Sequence, residues 1–193
     1  MNILLQEICQ RYGLKPEMYV GKIDRFDINQ GEIGDCWFLA SLANLADDNE
    51  AFNRVVPKNQ GFRNGYTGIF RFRFFRYFLT CSRPVLELYL RFGEWVEVVV
   101  DDRLPTRNGN LIYLKAKEAN EFWSPLLEKA YAKLYGSYTA LEGGLTIEAS
   151  VDFTGGIPEM IDLNNMRMEK ETLFYNMLKA YENNAFMCEV FFY

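Results

Sequence analysis

The sequence predicts an α+β fold with a central buried helix, a small antiparallel sheet and further helices. Three segments indicate this. CWFLASLANLA, from Cys36, carries apolar or small residues on every helical face, WVEVVV at 95–100 has strand composition, and EFWSPLLEKAYAKLY at 121–135 repeats apolar residues four positions apart. With 193 residues, of which 49% are hydrophobic, the chain can bury one core, so residues 1–193 are predicted to form a single domain.

The first long helix is predicted to begin at Cys36. Before it, the segment up to about Asn29 is interrupted by Gly13 and Gly21 and is expected to contain loops and short helical pieces. Asp35 directly precedes the helix, and a carboxylate at this position can accept hydrogen bonds from N–H groups of the first turn. Asp35 is therefore the predicted N-cap.

The middle of the chain is predicted to form the sheet. Tyr66–Phe78 and Trp95–Val100 are rich in aromatic and β-branched residues, and Gly93–Glu94 is placed to form a tight turn. A third strand is predicted at Leu111–Leu114, directly after the turn sequence NGN at Asn108–Asn110.

Two further helices are predicted after the sheet. The first spans Glu121–Tyr135, with Pro125 in its first turn, where proline costs little, and Gly136 at its end. The glycine-rich stretch 143–156 is expected to supply loops, and a last helix is predicted over Glu171–Glu182.

Composition excludes several classes of function. The net charge of -5 and the pI near 5.0 argue against a nucleic-acid partner, which would require a clustered basic face. The densest basic group, Arg71, Arg73 and Arg76, alternates with phenylalanines and is interpreted as the solvated side of a strand. No apolar run is long enough to suggest a transmembrane segment, and the start lacks the pattern of a secretion signal.

Cysteine usage favours a reducing compartment. The four cysteines, Cys9, Cys36, Cys81 and Cys188, show no C-x-x-C spacing, and the chain contains no histidine. Neither a zinc site nor a disulfide framework is therefore predicted, and a cytoplasmic location is expected.

Cys36 is the candidate nucleophile. The first turn of a helix favours a thiolate, although the neighbouring charge of Asp35 opposes it, so a further base or imidazolium is required. Gln30 lies six residues upstream across a turn containing Gly31 and Gly34, and its amide could form an oxyanion hole with the Cys36 backbone N–H. The alternative is a packing cysteine beside a loop glutamine that makes ordinary hydrogen bonds.

Several long segments resemble the calpain family of calcium-dependent, papain-like cysteine endopeptidases. The resemblance covers about Val20 to Ile161 and is carried by QGEIGDCWFLAS, VVPKNQGFRNGYTGIFRF, FGEWVEVVVDDRLPT, NEFWSPLLEKAYAKLYGSY and LEGGLTIEASVDFTGG. It implies a papain-like half-domain in which Cys36 is the nucleophile and Gln30 the oxyanion-hole residue. In this family a second half-domain supplies the histidine and asparagine of the triad. The chain is accordingly expected to be the first half of a protease core, incomplete at its start and inactive alone.

The resemblance also implies a Ca²⁺ site. The matching positions are the carbonyls of Val20 and Lys22 and the carboxylates of Asp27 and Glu121, a mixture of oxygen ligands that suits Ca²⁺. Taken without the resemblance, Asp27 and Glu121 would be interpreted as ordinary surface carboxylates.

Three more residues acquire expected roles from the resemblance. Arg25 matches an arginine that pairs with an acidic residue of the second half-domain when the cleft closes. Gly143 and Gly144 match a pair lining the substrate groove, where absent side chains admit a peptide backbone. The alternative for the glycines is a flexible loop. Relative to the family, residues 77–90 are interpreted as an insertion, and the likeness ends within AFMCEVFFY at the C-terminus.

The leading hypothesis is therefore a calcium-dependent endopeptidase that performs limited intracellular proteolysis of protein substrates. The alternative is a non-catalytic calcium-responsive fragment that binds substrates or partners. A third hypothesis is a structural α+β domain with an inert cysteine, which thiol labelling would distinguish.

Overall fold

The computed structural model describes residues 2–63, 65–79, 90–159, 161, 163 and 168–183. Its helices are α1 (Leu5–Arg11), α2 (Cys36–Asp47), α3 (Asn49–Val55), α4 (Trp123–Tyr135), α5 (Thr146–Thr154) and α6 (Lys170–Glu182). Its strands are β1 (Asn2–Leu4), β2 (Ile28–Asn29), β3 (Ile69–Leu79), β4 (Leu90–Asp101), β5 (Arg103–Arg107), β6 (Asn110–Leu111) and β7 (Lys115–Ala116). The predicted α+β class is confirmed.

The strands form separate small antiparallel sheets. In the described part of the chain, β3 pairs with β4, β1 and β6 flank β5, and β2 pairs with β7. The prediction of one sheet was wrong because β5 and β7 pair with β1 and β2 from the start of the chain, while β6 pairs with β5. That start was predicted to lack strands.

The β3–β4 hairpin follows the predicted alternation. Phe70, Phe72 and Phe74 are buried, while Arg71 and Arg73 lie on the opposite face. Both arginines approach Glu97 on the paired strand, at 4.0 and 3.6 Å respectively. Arg71 and Arg73 therefore lie on the outer face of the hairpin, as the sequence indicated. For Arg76 the interpretation was wrong, because it lies 3.5 Å from Asp152 of α5 and over the Tyr135 ring of α4.

The turn predicted at Gly93–Glu94 was wrong, because both residues lie inside β4. Gly93 has a packing role instead. A Cβ atom there would lie 2.2 Å from Cε1 of Phe75, which is too close for any side chain. The glycine therefore makes room for an aromatic ring on the neighbouring strand.

The turn at Asn108–Gly109 is confirmed by positive φ values of 53° and 83°. It joins β5 to β6, which ends at Leu111, so the predicted strand Leu111–Leu114 was too long and β5 was missed. Pro105, in the middle of β5, weakens the strand pattern in the sequence.

The later helices agree with the prediction at α4 and α6. Ser124 and Pro125 lie in the first turn of α4, and Gly136 ends it with a φ of 103°. The prediction of loops throughout 143–156 was wrong because α5 lies inside that stretch. Its glycines are confined to the two ends, and Ala149 and Phe153 between them are buried.

The core is built around α2. This helix packs against α3, α5 and a 3-10 turn at Arg25–Asp27, while α4 packs against β3 and β4. Phe38 of α2 stacks on Tyr131 of α4 with ring centroids 4.6 Å apart, and Phe153 of α5 lies 5.7 Å from Phe38. The N-terminal turn of α2 is thus fixed to a rigid aromatic core.

Two sequence interpretations lie outside the described residues. They are the inserted character of the segment 77–90, of which residues 80–89 are not described, and the end of the likeness in residues 185–193. Among the described helices, none has the length and apolar character needed to cross a membrane.

Candidate active site

Cys36 is the first residue of α2 and is an exposed, free thiol. Its neighbours Trp37 and Phe38 are buried, so they anchor the helix while the sulfur stays accessible. N–H groups in the first turn of a helix have no intrahelical acceptor, and the backbone N–H of Cys36 belongs to this turn. The site therefore combines an accessible thiol with the positive end of a buried helix.

Gln30 lies on the loop that leads into α2. Its Nε2 donates a hydrogen bond to the carbonyl oxygen of Ile33 at 2.9 Å, and its side chain lies beside Asp35, the residue preceding Cys36. An amide Nε2 carries two N–H groups, so one remains for a second acceptor. The structure thus folds the Gln30 side chain back toward the start of α2.

Neighbouring backbone fixes this loop. The N–H of Glu32 donates to the carbonyl oxygen of Ile112 at 2.8 Å. A Cβ atom on Gly31 would lie 2.3 Å from the carbonyl carbon of Tyr113, so only glycine permits this approach. The loop is therefore held against the segment after β6.

Gly143 and Gly144 lie next to the start of α2. The N–H of Gly143 donates to the carbonyl oxygen of Gly34 at 3.0 Å, and a Cβ atom on Gly144 would lie 2.5 Å from Cε2 of Trp37. Nε1 of Trp37 donates to the carbonyl oxygen of Leu141 at 2.9 Å. The glycine pair is therefore held against α2 rather than lying on a detached loop.

Asp35 occupies the predicted N-cap position, but its side chain makes no capping hydrogen bond. It is instead fully buried and interacts with the buried carboxyl group of Glu128 on α4. The sequence interpretation missed Glu128. The available indication was an acidic residue between Leu127 and the apolar Ala130 on a helix that is otherwise buried at that point.

Arg25 has a partner within the chain. Its Nε lies 3.1 Å from Oδ2 of Asp47 at the end of α2, and both side chains are about half exposed. An exposed pair of this kind contributes little to stability, so Arg25 can exchange partners at small cost.

Three of the four residues predicted to bind calcium, Val20, Asp27 and Glu121, lie near one another. Oε1 of Glu121 accepts a hydrogen bond from the Val20 N–H at 3.2 Å, and the charge of Asp27 acts on Glu121. Both carboxylates are buried, and Oε2 of Glu121 has no hydrogen-bond partner among the described residues. Lys22 is exposed, two residues after Val20.

The negative charges of Asp27 and Glu121 repel each other. Burial, reinforced by the charge of Asp27, raises the pKa of Glu121 to about 7, while the bond from Val20 opposes the shift. Among the described residues, no three His, Cys, Asp or Glu side chains are grouped so that they could hold a metal ion. Any cation here would therefore need backbone carbonyls in addition to the two carboxylates.

A surface depression lies away from the predicted site residues. It has a volume of about 590 Å³ and is lined by α1, the following loop and Phe62 and Arg63. None of the predicted site residues lines it.

Comparison with known proteins identifies the family. The family model described as calpain family cysteine protease matches residues 5–192. The chain is 51% identical over 172 residues to Calpain-B of Drosophila melanogaster, covering 89% of this chain and 17% of that protein. It is 48% identical over 181 residues to Calpain-8 of Mus musculus, covering 94% of this chain and 23% of that protein.

These matches cover nearly all of the chain but about a fifth of each relative. The helices and small antiparallel sheets described above agree with an α+β, papain-like half-domain. The chain belongs to the calpain family of cysteine proteases.

Proposed function

We propose that this chain is the nucleophile-bearing half of a calpain-type cysteine endopeptidase. The observation that carries the proposal is the exposed Cys36 thiol at the start of a buried helix, with the Gln30 side chain folded back beside the preceding residue. The family match to a cysteine protease supports the same reaction class.

The proposed chemistry follows from these positions. The Cys36 thiolate attacks a peptide carbonyl carbon, and the carbonyl oxygen gains negative charge as the C=O double bond opens. The Cys36 backbone N–H and the second N–H of Gln30 Nε2 donate to that oxygen. The chain has no histidine, so the proton is carried by a group from a second half-domain.

The second half-domain is the proposed partner. Arg25 is available to it because its bond to Asp47 is exposed and weak. Gly143 and Gly144 offer bare backbone next to Cys36 for an extended segment of a protein substrate. Substrates of this kind would be cut at exposed, flexible segments, which gives limited proteolysis.

The residues around Glu121 fit Ca²⁺. Two buried carboxylates, Asp27 and Glu121, lie without a neutralising cation among the described residues, and Oε2 of Glu121 accepts no hydrogen bond of good geometry from those residues. The carbonyls of Val20 and Lys22 would complete a set of oxygen ligands. Bound Ca²⁺ would supply positive charge that neutralises the carboxylates and fixes the turn leading to Asp27.

Calcium is expected to stabilise the chain more at about pH 8 than at about pH 6. The raised pKa of Glu121, about 7, means that its proton stabilises the fold at low pH and is lost as pH rises through 7. Ca²⁺ competes with this proton, so its affinity should fall about tenfold between about pH 8 and about pH 6. Thermal unfolding with CaCl₂ or MgCl₂ at equal ionic strength measures the effect.

The matched variants are Glu121→Gln and Glu159→Gln. Both remove one carboxylate, but Glu159 is exposed and makes no described contact with the cluster. Glu121→Gln should abolish most of the calcium-dependent shift, whereas Glu159→Gln should retain it. An equal shift in both variants would exclude Glu121 as a ligand.

The proposed activity is tested by complementation. The chain is combined with the segment that follows the matched region in Drosophila Calpain-B, and cleavage of a fluorogenic peptide is measured with and without Ca²⁺. Cleavage is expected only when both parts and Ca²⁺ are present. If the two parts form a stable complex that leaves the peptide intact, the endopeptidase proposal is wrong.

A second candidate is a non-catalytic, calcium-responsive fragment that binds substrates or partners. The absence of histidine from all 193 residues favours it for the chain alone, because loss of a triad member costs several powers of ten in rate. Retained peptide binding without cleavage by the complemented chain would support this alternative.

The proposed location is the cytoplasm. Cys9 and Cys36, the cysteines in the described part of the chain, are both free thiols, which fits a reducing compartment. Non-reducing mass spectrometry of the chain isolated from cells would show its oxidation state directly.

A further inference from the structure

Asp35, the residue before the nucleophile, forms a buried acidic pair with Glu128 of α4. Asp35 is 0% exposed and Glu128 is 1% exposed, and their carboxyl groups interact with each other. Among the described residues, no lysine or arginine forms an ion pair with either one. Two ionised carboxylates in such a place would repel each other without compensation.

The hydrogen bonds are also incomplete. Glu128 accepts from the Leu114 N–H, at 3.1 and 3.3 Å for its two oxygens. The Gln30 amide lies near Asp35, but neither Asp35 oxygen accepts a hydrogen bond of good geometry from the described residues. A proton on one carboxyl group would supply the missing donor.

We propose that Asp35 and Glu128 share one proton at neutral pH, held mainly by Glu128, and that this pair positions the Gln30–Cys36 loop. The O–H of Glu128 donates to Asp35, and the other Glu128 oxygen accepts from Leu114. Asp35 then retains a single charge at the N-terminus of α2, where the helix dipole stabilises it. This inference rests on the proposed function, because the positioned loop carries the proposed nucleophile.

The electrostatic environment supports this assignment. Burial raises the pKa of Glu128 well above its ordinary value, and the charge of Asp35 raises it further. Burial also raises the pKa of Asp35, while the nearby Gln30 amide and Glu128 oppose that shift. The proton therefore belongs mainly to Glu128.

Two phenols lie near the pair, in addition to the Cys36 thiol that follows Asp35 and the Glu142 side chain beside Gly34. Tyr138 is a buried phenol without a hydrogen-bond partner, and Tyr113 stacks on it with ring centroids 3.9 Å apart. Burial, and then the charge of Glu128, raises the pKa of Tyr138. Tyr138 therefore remains neutral over the range in which the pair would ionise.

The pair connects the loop to the core. Asp35 directly precedes Cys36, and Gln30 lies beside Asp35, while Glu128 lies on α4 and bonds to the backbone of Leu114. Full ionisation of the pair would push the start of α2 away from α4 and add a second negative charge near the thiol. The position of the nucleophile would then depend on the proton.

The first test measures the proton in the full chain by NMR of ¹³C-labelled carboxyl groups. The signal of the Glu128 carboxyl carbon is assigned as the one that disappears in Glu128→Gln. At about pH 7 this signal should keep the chemical shift of a protonated acid. The exposed Glu159 serves as the reference and should show the shift of an ionised carboxylate. An ionised shift for both Glu128 and Asp35 at neutral pH overturns the proposal.

The second test measures positioning through the alkylation rate of Cys36 by iodoacetamide, resolved by mass spectrometry of its peptide. Glu128→Gln keeps a donor for Asp35 and an acceptor for Leu114, so its rate should stay within about twofold of wild type near neutral pH. At high pH the alkylation rate of Glu128→Gln should exceed that of wild type, because glutamine cannot ionise and no second negative charge develops beside Asp35. Glu128→Leu removes both bonds and should change the rate at all pH values.

The tests have distinct outcomes. Identical pH profiles for wild type and Glu128→Gln, or a wild-type rate in Glu128→Leu, overturn the positioning role. If Glu128→Leu does not fold, the alkylation rate of Asp35→Asn tests the positioning role, and the NMR measurement on the wild type tests the shared proton. Neither readout requires cleavage, so failure of the complementation assay removes the peptidase proposal and leaves this result intact.

Discussion

Replacing Cys36 by alanine is expected to reduce calcium-dependent peptide cleavage by the complemented chain by about 10⁴- to 10⁶-fold. The reason is that the thiolate forms the bond to the substrate carbonyl, and alanine has no atom that can replace it. Because Cys36 is exposed, the substitution should leave the free energy of unfolding nearly unchanged. Initial cleavage rates at saturating Ca²⁺ and urea denaturation provide the two measurements.

Cys9→Ala is the matched control for Cys36→Ala. The same atoms are removed, but Cys9 is completely buried in α1, where burial raises the pKa of its thiol. This variant should lose some stability to a small cavity and keep its cleavage rate per folded molecule. Cleavage that persists in Cys36→Ala and disappears in Cys9→Ala would contradict the assignment of the nucleophile.

Replacing Phe38 by alanine is expected to lower the free energy of unfolding by about 3 to 5 kcal/mol. Phe38 is 0% exposed and contacts the rings of Trp37, Tyr131 and Phe153. Its loss leaves a cavity where α2, α4 and α5 meet, and these rigid elements can close it only in part. The urea midpoint of unfolding should fall correspondingly.

Phe26→Ala is the control for this prediction because it makes the same chemical change at a side chain that is 74% exposed. Its effect should remain within about 0.5 kcal/mol. Equal losses of stability in Phe26→Ala and Phe38→Ala would show that α2 does not organise the core.

Local patterns in the sequence predicted the helices more accurately than the sheets. The start of α2 at Cys36 and the end of α4 at Gly136 follow from apolar spacing and a terminal glycine, which depend on neighbouring residues. The pairing of β1 with β5 joins Asn2 to Pro105, and no local pattern specifies such a distant partner. The strand pairing in the sheets therefore depends on tertiary contacts that local sequence patterns do not specify.

The site residues also divide into those that local sequence patterns indicate and those that depend on contacts between distant segments. Cys36 and Gln30 could be singled out because both lie on one short turn, whereas the neighbours of Glu128 come from distant segments. Asp35 was expected to cap α2 because an N-cap is the common role of aspartate at that position. Its side chain instead turns inward to Glu128, an outcome that depends on where α4 packs.

The hydrogen bond from Trp37 to the Leu141 carbonyl joins residues 104 positions apart. During synthesis on the ribosome, the groove beside Cys36 cannot form until the chain has been made well beyond Gly144. Closing so long a loop is entropically costly and slow, so the groove should be among the last parts to assemble. The Cys36 thiol should therefore be present on the nascent chain before the backbone of Gly143 and Gly144 is fixed beside it.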